Sequence, residues 1–345
     1  MAKNLTGNTE LDLVLSGLSK QFGKDIAHIG PKYESALPVS STSMTFDAST
    51  GIGGIPKGRI TEFAGPPSCG KTSLSLRIMS NYKQQYPADT RPMAIIDMER
   101  SISEELMEGL GLNPGEILFL YPDTAEEALE SARVLNTTGA VSFILLDSVD
   151  AMQSENYLKK NIGDADMQGI AKLMGQALRQ ISKSCVEKDV TNLWINQLRD
   201  SLNMFDPKPT TSGGKALGYY ASLRVQAMKQ KESPNMSNAF LMRTKIVKNK
   251  CGPPREKDVE FDFIYARGPE PYFDLLGYAK SIGIIRLAGS AVKLKLPGQD
   301  ETSLCNGGRD GARLYLIENP DKFELIRKAC LNLAEPEDAI ESAEL

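Results

Sequence analysis

The sequence predicts an α/β fold: a phosphate-loop core with a mostly parallel central sheet, a short N-terminal helix and a small C-terminal α+β domain. Three observations predict it. Gly65-Pro66-Pro67-Ser68-Cys69-Gly70-Lys71-Thr72 fits the phosphate-binding pattern G-x-x-x-x-G-K-[ST]. Apolar runs end in polar residues at Ile96-Asp97, Leu146-Asp147 and Ile195-Asn196-Gln197, as strands buried on both faces do. Helical patterns at 124–136 and 167–185 alternate with those runs, which indicates crossover helices packed on a parallel sheet.

Residues 9–23 read as an amphipathic helix, with Leu11, Leu15, Leu18 and Phe22 at helical spacing. A turn-rich stretch, 30–58, follows. Arg59 to Ala64 reads as the strand entering the phosphate loop, and Ser73 to Met79 as the helix leaving it. The loop glycines let successive N–H groups face a phosphate, and the helix N-terminus adds partial positive charge. Gly65, Pro66, Pro67, Ser68, Cys69, Gly70, Lys71, Thr72 and Ser73 are therefore the expected nucleotide-binding residues. Lys71 can reach the β and γ phosphates, and the Thr72 hydroxyl can ligate Mg²⁺.

Asp147 ends the strand Val141 to Asp147, the setting of an ATPase acid that holds Mg²⁺ through water. Glu99 follows the strand Pro92 to Asp97 by two residues. A carboxylate there can deprotonate the attacking water or serve as a helix N-terminal acid, and spacing alone leaves both open. Gln197 ends the next strand, where an amide can sense the γ-phosphate and signal to the following loop. That loop, 199–214, is long, polar and glycine-ended. It is either a mobile loop or a nucleic-acid loop whose Met204 and Phe205 wedge between bases. A second such segment, 154–168, precedes a helix carrying Lys172 and Arg179 on one face. Those two cations fit a solvated face or a phosphate-binding one.

After residue 220, Leu223 to Met228 and Leu241 to Val247 read as a hairpin, and 257–265 as a further strand. From about 270, a helix over 272–283, short strands and a helix over 320–333 form a small domain. The expected organisation is thus 1–32 N-terminal helix and linker, 33–269 ATPase core, 270–333 C-terminal domain and 334–345 tail. The tail from Glu335 on holds five acids and no base, a composition expected to be disordered.

Composition narrows the function. The chain has 345 residues, 41% of them apolar, which is ample for a packed core. Forty Lys and Arg against 44 Asp and Glu leave a net charge of −4, so a nucleic-acid partner would be met by local patches. One patch lies between 243 and 257, where six bases face one acid. The single histidine, His28, argues against histidine-based triads and metal sites. The five cysteines show no C-x-x-C spacing and suit a reducing cytoplasm. No run of 18 apolar residues and no basic-then-apolar start is present, so no membrane association is expected.

The motifs together resemble the bacterial and phage RecA recombinases over residues 10–333. The resemblance rests on Lys20 to Lys24, the phosphate loop, Ile96 to Glu99, Leu146 to Ala151, Ile195 to Arg199, Thr211 to Leu217 and Val247 to Lys250, in that order. It implies a DNA-dependent ATPase that uses ATP and Mg²⁺, forms a helical filament on single-stranded DNA and exchanges strands with duplex DNA. It implies Glu99 as the catalytic carboxylate and Gln197 as the γ-phosphate sensor. Lys248 and Lys250 would reach a neighbouring subunit's ATP. Segments 154–168 and 199–214 would be the DNA loops, with Lys172, Arg179, Arg199, Met204, Phe205, Ser212, Gly213, Gly214 and Lys215 as the DNA-binding residues. The first helix would dock on the adjacent subunit, and the C-terminal domain would recruit duplex DNA. The chain departs from the family at Leu106, where a Tyr usually stacks on adenine, and at Ser103, where an Asp usually touches the base edge. Lys172 stands for an Arg, Asp206 for a Gly, and the C-terminal region diverges. Such drift fits a phage-encoded or distant member, active in the cytoplasm of its cell or host. The rival readings are a motor of the same fold without strand exchange and a small-molecule kinase. Phe205 and Gly213-Gly214 in loop 199–214 speak against the first.

Overall fold

A computed structural model describes residues 8–22, 31, 33–158, 167–199, 210–253 and 258–332. Two compact units are present, Met1–Ser35 and Ala36–Leu345. The first carries α1 (Thr9–Phe22). Asn8 accepts the Glu10 and Leu11 N–H groups at 3.1 and 3.3 Å, and Glu10 and Asp12 add favourable charge to the first turn. Leu11, Leu13, Val14 and Phe22 are exposed on this helix.

The second unit opens with β1 (Pro38–Val39), α2 (Met44–Ser49), β2 (Ile55–Pro56), β3 (Ile60–Gly65) and α3 (Lys71–Gln85). Next come β4 (Met93–Asp97), α4 (Glu104–Gly109), β5 (Ile117–Leu120), α5 (Ala125–Thr138) and β6 (Phe143–Asp147). Then follow α6 (Glu155–Leu158), α7 (Met167–Glu187), β7 (Thr191–Arg199), β8 (Thr210–Thr211) and α8 (Ala216–Tyr220). The chain continues through β9 (Leu223–Glu232), β10 (Ala239–Asn249), β11 (Asp258–Ile264) and β12 (Gly268–Pro269). It closes with α9 (Pro271–Ser281), β13 (Ile285–Ala288), β14 (Ala291–Leu294), β15 (Thr302–Asn306), α10 (Gly308–Glu318) and α11 (Pro320–Asn332).

Among the described residues the central sheet runs β12-β11-β10-β9-β3-β7-β6-β4-β5, with β8 paired to β7. The strands from β9 to β5 are mutually parallel, and β10, β11 and β12 extend the sheet antiparallel. The expected mostly parallel α/β core is therefore present. Side-chain alternation divides the strands between two apolar layers. Phe63, Ile95, Leu145, Leu193 and Ile195 pack with α3 and α4. Ala94, Ile96, Ile144, Leu146 and Trp194 pack with α5 and α7. Helix α5 starts at a Thr124–Glu127 capping box and stops at left-handed Gly139. Its expected first residue, Thr124, is thus the cap rather than the first turn. Among the described residues no helix is long and apolar enough to cross a membrane.

The turn-rich reading of 30–58 needs correction at α2. The Ser43 side chain caps this helix by accepting the Phe46 N–H at 3.1 Å. Met44 and Ala48 then enter the core shared by α9, β13, β14, α10 and α11. Asp274 of α9 fastens the joint, accepting from the Ser43 hydroxyl at 2.8 Å and the Thr45 N–H at 3.0 Å. The acidic tail, His28, Met204 and Phe205 lie outside the described residues.

Asp47 and Asp274 are buried carboxyls at this joint. Burial pushes Asp47 from its ordinary 3.8 to about 7 and Asp274 to about 6, against hydrogen bonds that favour the ionised forms. Folded Asp47 therefore holds its proton where unfolded Asp47 has lost it. Its stabilising contribution is complete below pH 4 and is lost as pH rises through 7. Asn at 47 does not titrate. The melting temperature of Asp47→Asn relative to the parent should therefore rise by about 2–4 °C or more between pH 5 and pH 8. A pH-independent difference, followed by circular dichroism, would refute the assignment.

Candidate active site

The phosphate loop runs from the C-terminal end of β3 into α3. Gly70, at φ +90°, turns the chain into the helix in a conformation that favours glycine. A Cβ there would lie 2.7 Å from Met242 Cε, the mobile end of a side chain that can shift, so the backbone conformation is what calls for glycine. Lys71 Nζ donates to the Gly65 carbonyl at 3.1 Å and the Pro66 carbonyl at 2.7 Å. Its cation is thus held over the mouth of the loop. Cys69 lies behind the loop, its thiol donating to Ala227 O at 3.4 Å, and burial raises its pKa.

The Thr72 hydroxyl donates to Asp147 Oδ2 at 2.6 Å. Asp147 ends β6, is 2% exposed, and is pushed up to about 6 by burial, with the charges of Glu99 and Asp97 adding to the rise. Asp97, in register with Asp147 on β4, builds the turn that carries Glu99. Its Oδ1 accepts the Glu99 and Arg100 N–H groups at 3.1 and 2.8 Å. Ser148, joined to Asp147 by a cis peptide, donates its hydroxyl to Glu99 Oε1 at 2.5 Å. Gln197 on β7 is in register with Gly65 on β3. The sheet order β3-β7-β6-β4 therefore lines up Gly65, Gln197, Asp147 and Glu99 along the C-terminal strand ends, where such sheets hold ligands.

Gln197, Asp147 and Glu99 share one cleft of about 440 Å³ with Pro67, Ser68, Gly70, Lys71, Thr72 and Ser73 of the loop and α3. The cleft has an aromatic wall, Phe240, Phe263 and Tyr265, that sequence reasoning missed. Lys229 Nζ braces this wall, 5.2 Å from the Phe240 ring centroid and 5.1 Å from that of Tyr265. Ser148 and Asp97 were missed as well. An Asp two residues before the candidate base was the one signal available, because a short turn often uses such a carboxylate.

Other expected residues lie elsewhere. Ser103 is the N-cap of α4, its Oγ accepting the Leu106 N–H at 3.2 Å, and it does not line the cleft. Leu106 packs against the core on the α3 side of the sheet. Lys248 Nζ donates to the Gly218 and Tyr219 carbonyls at 2.7 and 2.8 Å, and Lys250 Nζ to Tyr219 O at 3.4 Å. Burial, with Lys250 and Arg224 nearby, brings Lys248 down to about 8. Lys172 and Arg179 are exposed on α7. Arg199 Nε and the Ser212 hydroxyl both donate to Asp150 Oδ1, the former at 3.0 Å, so one carboxylate ties the start of the loop to its end. Gly213 and Gly214 have φ of +78° and +77°, and their added Cβ atoms would meet Val149 and Ala171. Lys215 is exposed just before α8.

A glycine-built loop at a helix N-terminus, a hydroxyl–carboxylate pair and a second carboxylate at neighbouring strand ends define a phosphate-loop nucleotide hydrolase. Comparison with known proteins narrows the class. A family model described as the RecA N-terminal domain matches residues 9–270. Protein RecA of Syntrophus aciditrophicus is 35% identical over 317 residues, covering 90% of this chain and 89% of that protein. Protein RecA of Saccharopolyspora erythraea is 35% identical over 323 residues, covering 92% and 90%. The crystal structure of the RadB recombinase aligns with a TM-score of 0.48 at 20% identity, over 67% of this chain and 98% of that one. The chain belongs to the RecA family. It is a RecA-type recombinase, a DNA-dependent ATP hydrolase whose family function is strand exchange, and membership carries nucleotide binding, DNA binding and filament formation.

Proposed function

We propose that this chain binds ATP with Mg²⁺ in the cleft at the C-terminal ends of β3, β7, β6 and β4, polymerises on single-stranded DNA and pairs it with homologous duplex. The observation that carries the reading is the convergence of Lys71, Thr72, Asp147, Glu99 and Gln197 on one cleft. The Thr72 hydroxyl and Asp147 carboxylate, 2.6 Å apart, form an oxygen donor set that suits a hard divalent cation. Bound there, Mg²⁺ would neutralise charge on the phosphates. Lys71 leaves the Gly65 and Pro66 carbonyls for the β and γ phosphates, and the loop N–H groups hold the same oxygens. Glu99, with one oxygen fixed by Ser148, takes the proton of the attacking water. Gln197 contacts the γ-phosphate until hydrolysis removes that contact. Tyr265, the exposed ring of the aromatic wall, takes the base in place of a ring at Leu106, with the buried Phe240 and Phe263 behind it. Lys248 and Lys250 reach across to a neighbour's nucleotide, which makes turnover depend on assembly. Arg199, Lys172, Arg179 and Lys215 neutralise DNA phosphates, while Ser212, Gly213 and Gly214 present the loop whose Met204 and Phe205 space the bases.

The test is ATP turnover with and without single-stranded DNA, followed by electron microscopy of the same mixtures. Turnover should rise at least tenfold with single-stranded DNA, in step with the appearance of helical filaments. Equal turnover in both mixtures with no filaments would favour a small-molecule kinase. Stimulated filaments that fail to exchange strands with homologous duplex would favour a motor.

A further inference from the structure

Beside the nucleotide cleft lies a buried polar chain that the mechanism above does not use. Glu62 sits in β3, three residues before Gly65, and is fully buried. Its cross-strand neighbour on β9 is Arg224, and the two side chains form an ion pair through Arg224 Nε and Glu62 Oε2. Its other oxygen, Oε1, accepts from Asn196 Nδ2 at 3.0 Å. Asn196, also fully buried, uses its whole amide. Nδ2 donates a second time, to the Ser212 carbonyl at 3.1 Å, and Oδ1 accepts the Gln197 N–H at 2.9 Å. The amide has only this orientation, because the flipped form would set its NH₂ against the Gln197 N–H and its oxygen against two acceptors.

Asn196 is thus the junction of three parts. Its backbone neighbour Gln197 faces the nucleotide cleft. Strand alternation sends the Asn196 side chain to the opposite face, toward Ser212 at the end of loop 199–214. The Glu62 carboxylate, on the strand that enters the phosphate loop, anchors the amide. A hydrogen bond to an ionised acceptor is about twice as strong as a neutral one, and burial strengthens it further. A movement of Gln197 that shifts Asn196 must therefore either carry the Ser212 carbonyl with it or break a buried, fully satisfied set of bonds.

We propose that Glu62 is a positioning residue that, through Asn196, makes the DNA loop follow the nucleotide state of the cleft. The proposal rests on the DNA-dependent ATPase reading and names the side chains that would carry its coupling. Glu62 touches neither substrate, so its loss should separate the two activities instead of lowering both. Removing its charge also leaves Arg224 half-buried without its partner, which costs stability, so stability must be followed in parallel.

The experiment uses the full chain. Basal and single-stranded-DNA-stimulated ATP turnover are measured for the parent and Glu62→Gln, with single-stranded-DNA affinity in a non-hydrolysable ATP analogue and in ADP. Basal turnover of Glu62→Gln should stay within about twofold of the parent. Its DNA stimulation should fall at least fivefold, and the ratio of its DNA affinities in the two nucleotides should move toward one. Asn196→Ala keeps the Glu62–Arg224 ion pair and should give the same loss, so it decides the matter if Glu62→Gln melts below the assay temperature. A third arm needs no variant. Hydrogen exchange of the parent should show protection at 196–198 and 210–214 changing together on addition of the ATP analogue. A folded Glu62→Gln or Asn196→Ala with parental stimulation and parental affinity ratio overturns the proposal, as does independent exchange of the two segments. A parent that single-stranded DNA does not stimulate overturns the underlying DNA reading instead.

Discussion

Lys71→Ala is expected to reduce ATP turnover by about 100- to 1,000-fold or more, the loss that follows removal of one preorganised group facing transition-state charge. The reason is local. Lys71 is 7% exposed and its ammonium rests on the Gly65 and Pro66 carbonyls, where phosphate oxygens can take their place. Cys69, Thr72 and Ser73 bring no second cation to the loop. The fold should survive, because Lys71 makes its hydrogen bonds with the loop and not with the core. Phosphate-release assays give turnover, and nucleotide titration gives affinity, which should also fall. A folded Lys71→Ala with parental turnover would remove the phosphate loop from the chemistry.

Glu99→Gln should behave differently. Turnover should fall about 100- to 10,000-fold, the usual range for a lost general base, while ATP affinity stays within a few-fold. Asp97 sets the Glu99 backbone through N–H groups that the substitution keeps, and Gln can still accept the Ser148 hydroxyl. Geometry is therefore retained and only proton acceptance is lost. The nucleotide would remain unhydrolysed, so the variant should accumulate as DNA-bound filaments that resist dissociation. Weak ATP binding by Glu99→Gln would make Glu99 a structural residue of the turn. Normal binding with parental turnover would move the base elsewhere in the cleft.

Much of this site could be read from the chain before it was folded. The phosphate loop is contiguous, and its chemistry depends on two glycines, a lysine and a hydroxyl at fixed offsets. Asp147 and Gln197 were legible because apolar strands of a parallel sheet end on one edge, so their terminal polar residues gather there. Glu99 was legible only as one of two alternatives. Its placement depends on Asp97 folding back on the Glu99 and Arg100 N–H groups and on Ser148 approaching from another strand. Helix α2 escaped notice because six residues cannot display helical periodicity. It forms because Ser43 caps it and Asp274, 231 positions away, holds the cap. Ser103, matched to a base-edge position by resemblance, is occupied as the cap of α4. The aromatic wall was hidden for a different reason. Phe240, Phe263 and Tyr265 come from the antiparallel strands and their margin, which reach the cleft because β9 joins β3 in parallel.

The sequence by itself determined the fold class and the local chemistry of the loop. Strand periodicity, helix capping and the φ freedom of glycine act over a few residues, so their outcome is written in neighbouring letters. Only the tertiary structure decided which distant groups meet: Thr72 with Asp147, Glu99 with Ser148, and Glu62 with both Arg224 and Asn196. Such pairs depend on strand order and register. Those follow from how whole buried faces pack together, and a shift of one residue would turn each side chain to the other side of the sheet. The loop's capacity to hold phosphate is therefore a property of eight consecutive residues, whereas its link to loop 199–214 exists only once β3, β7 and β9 lie side by side.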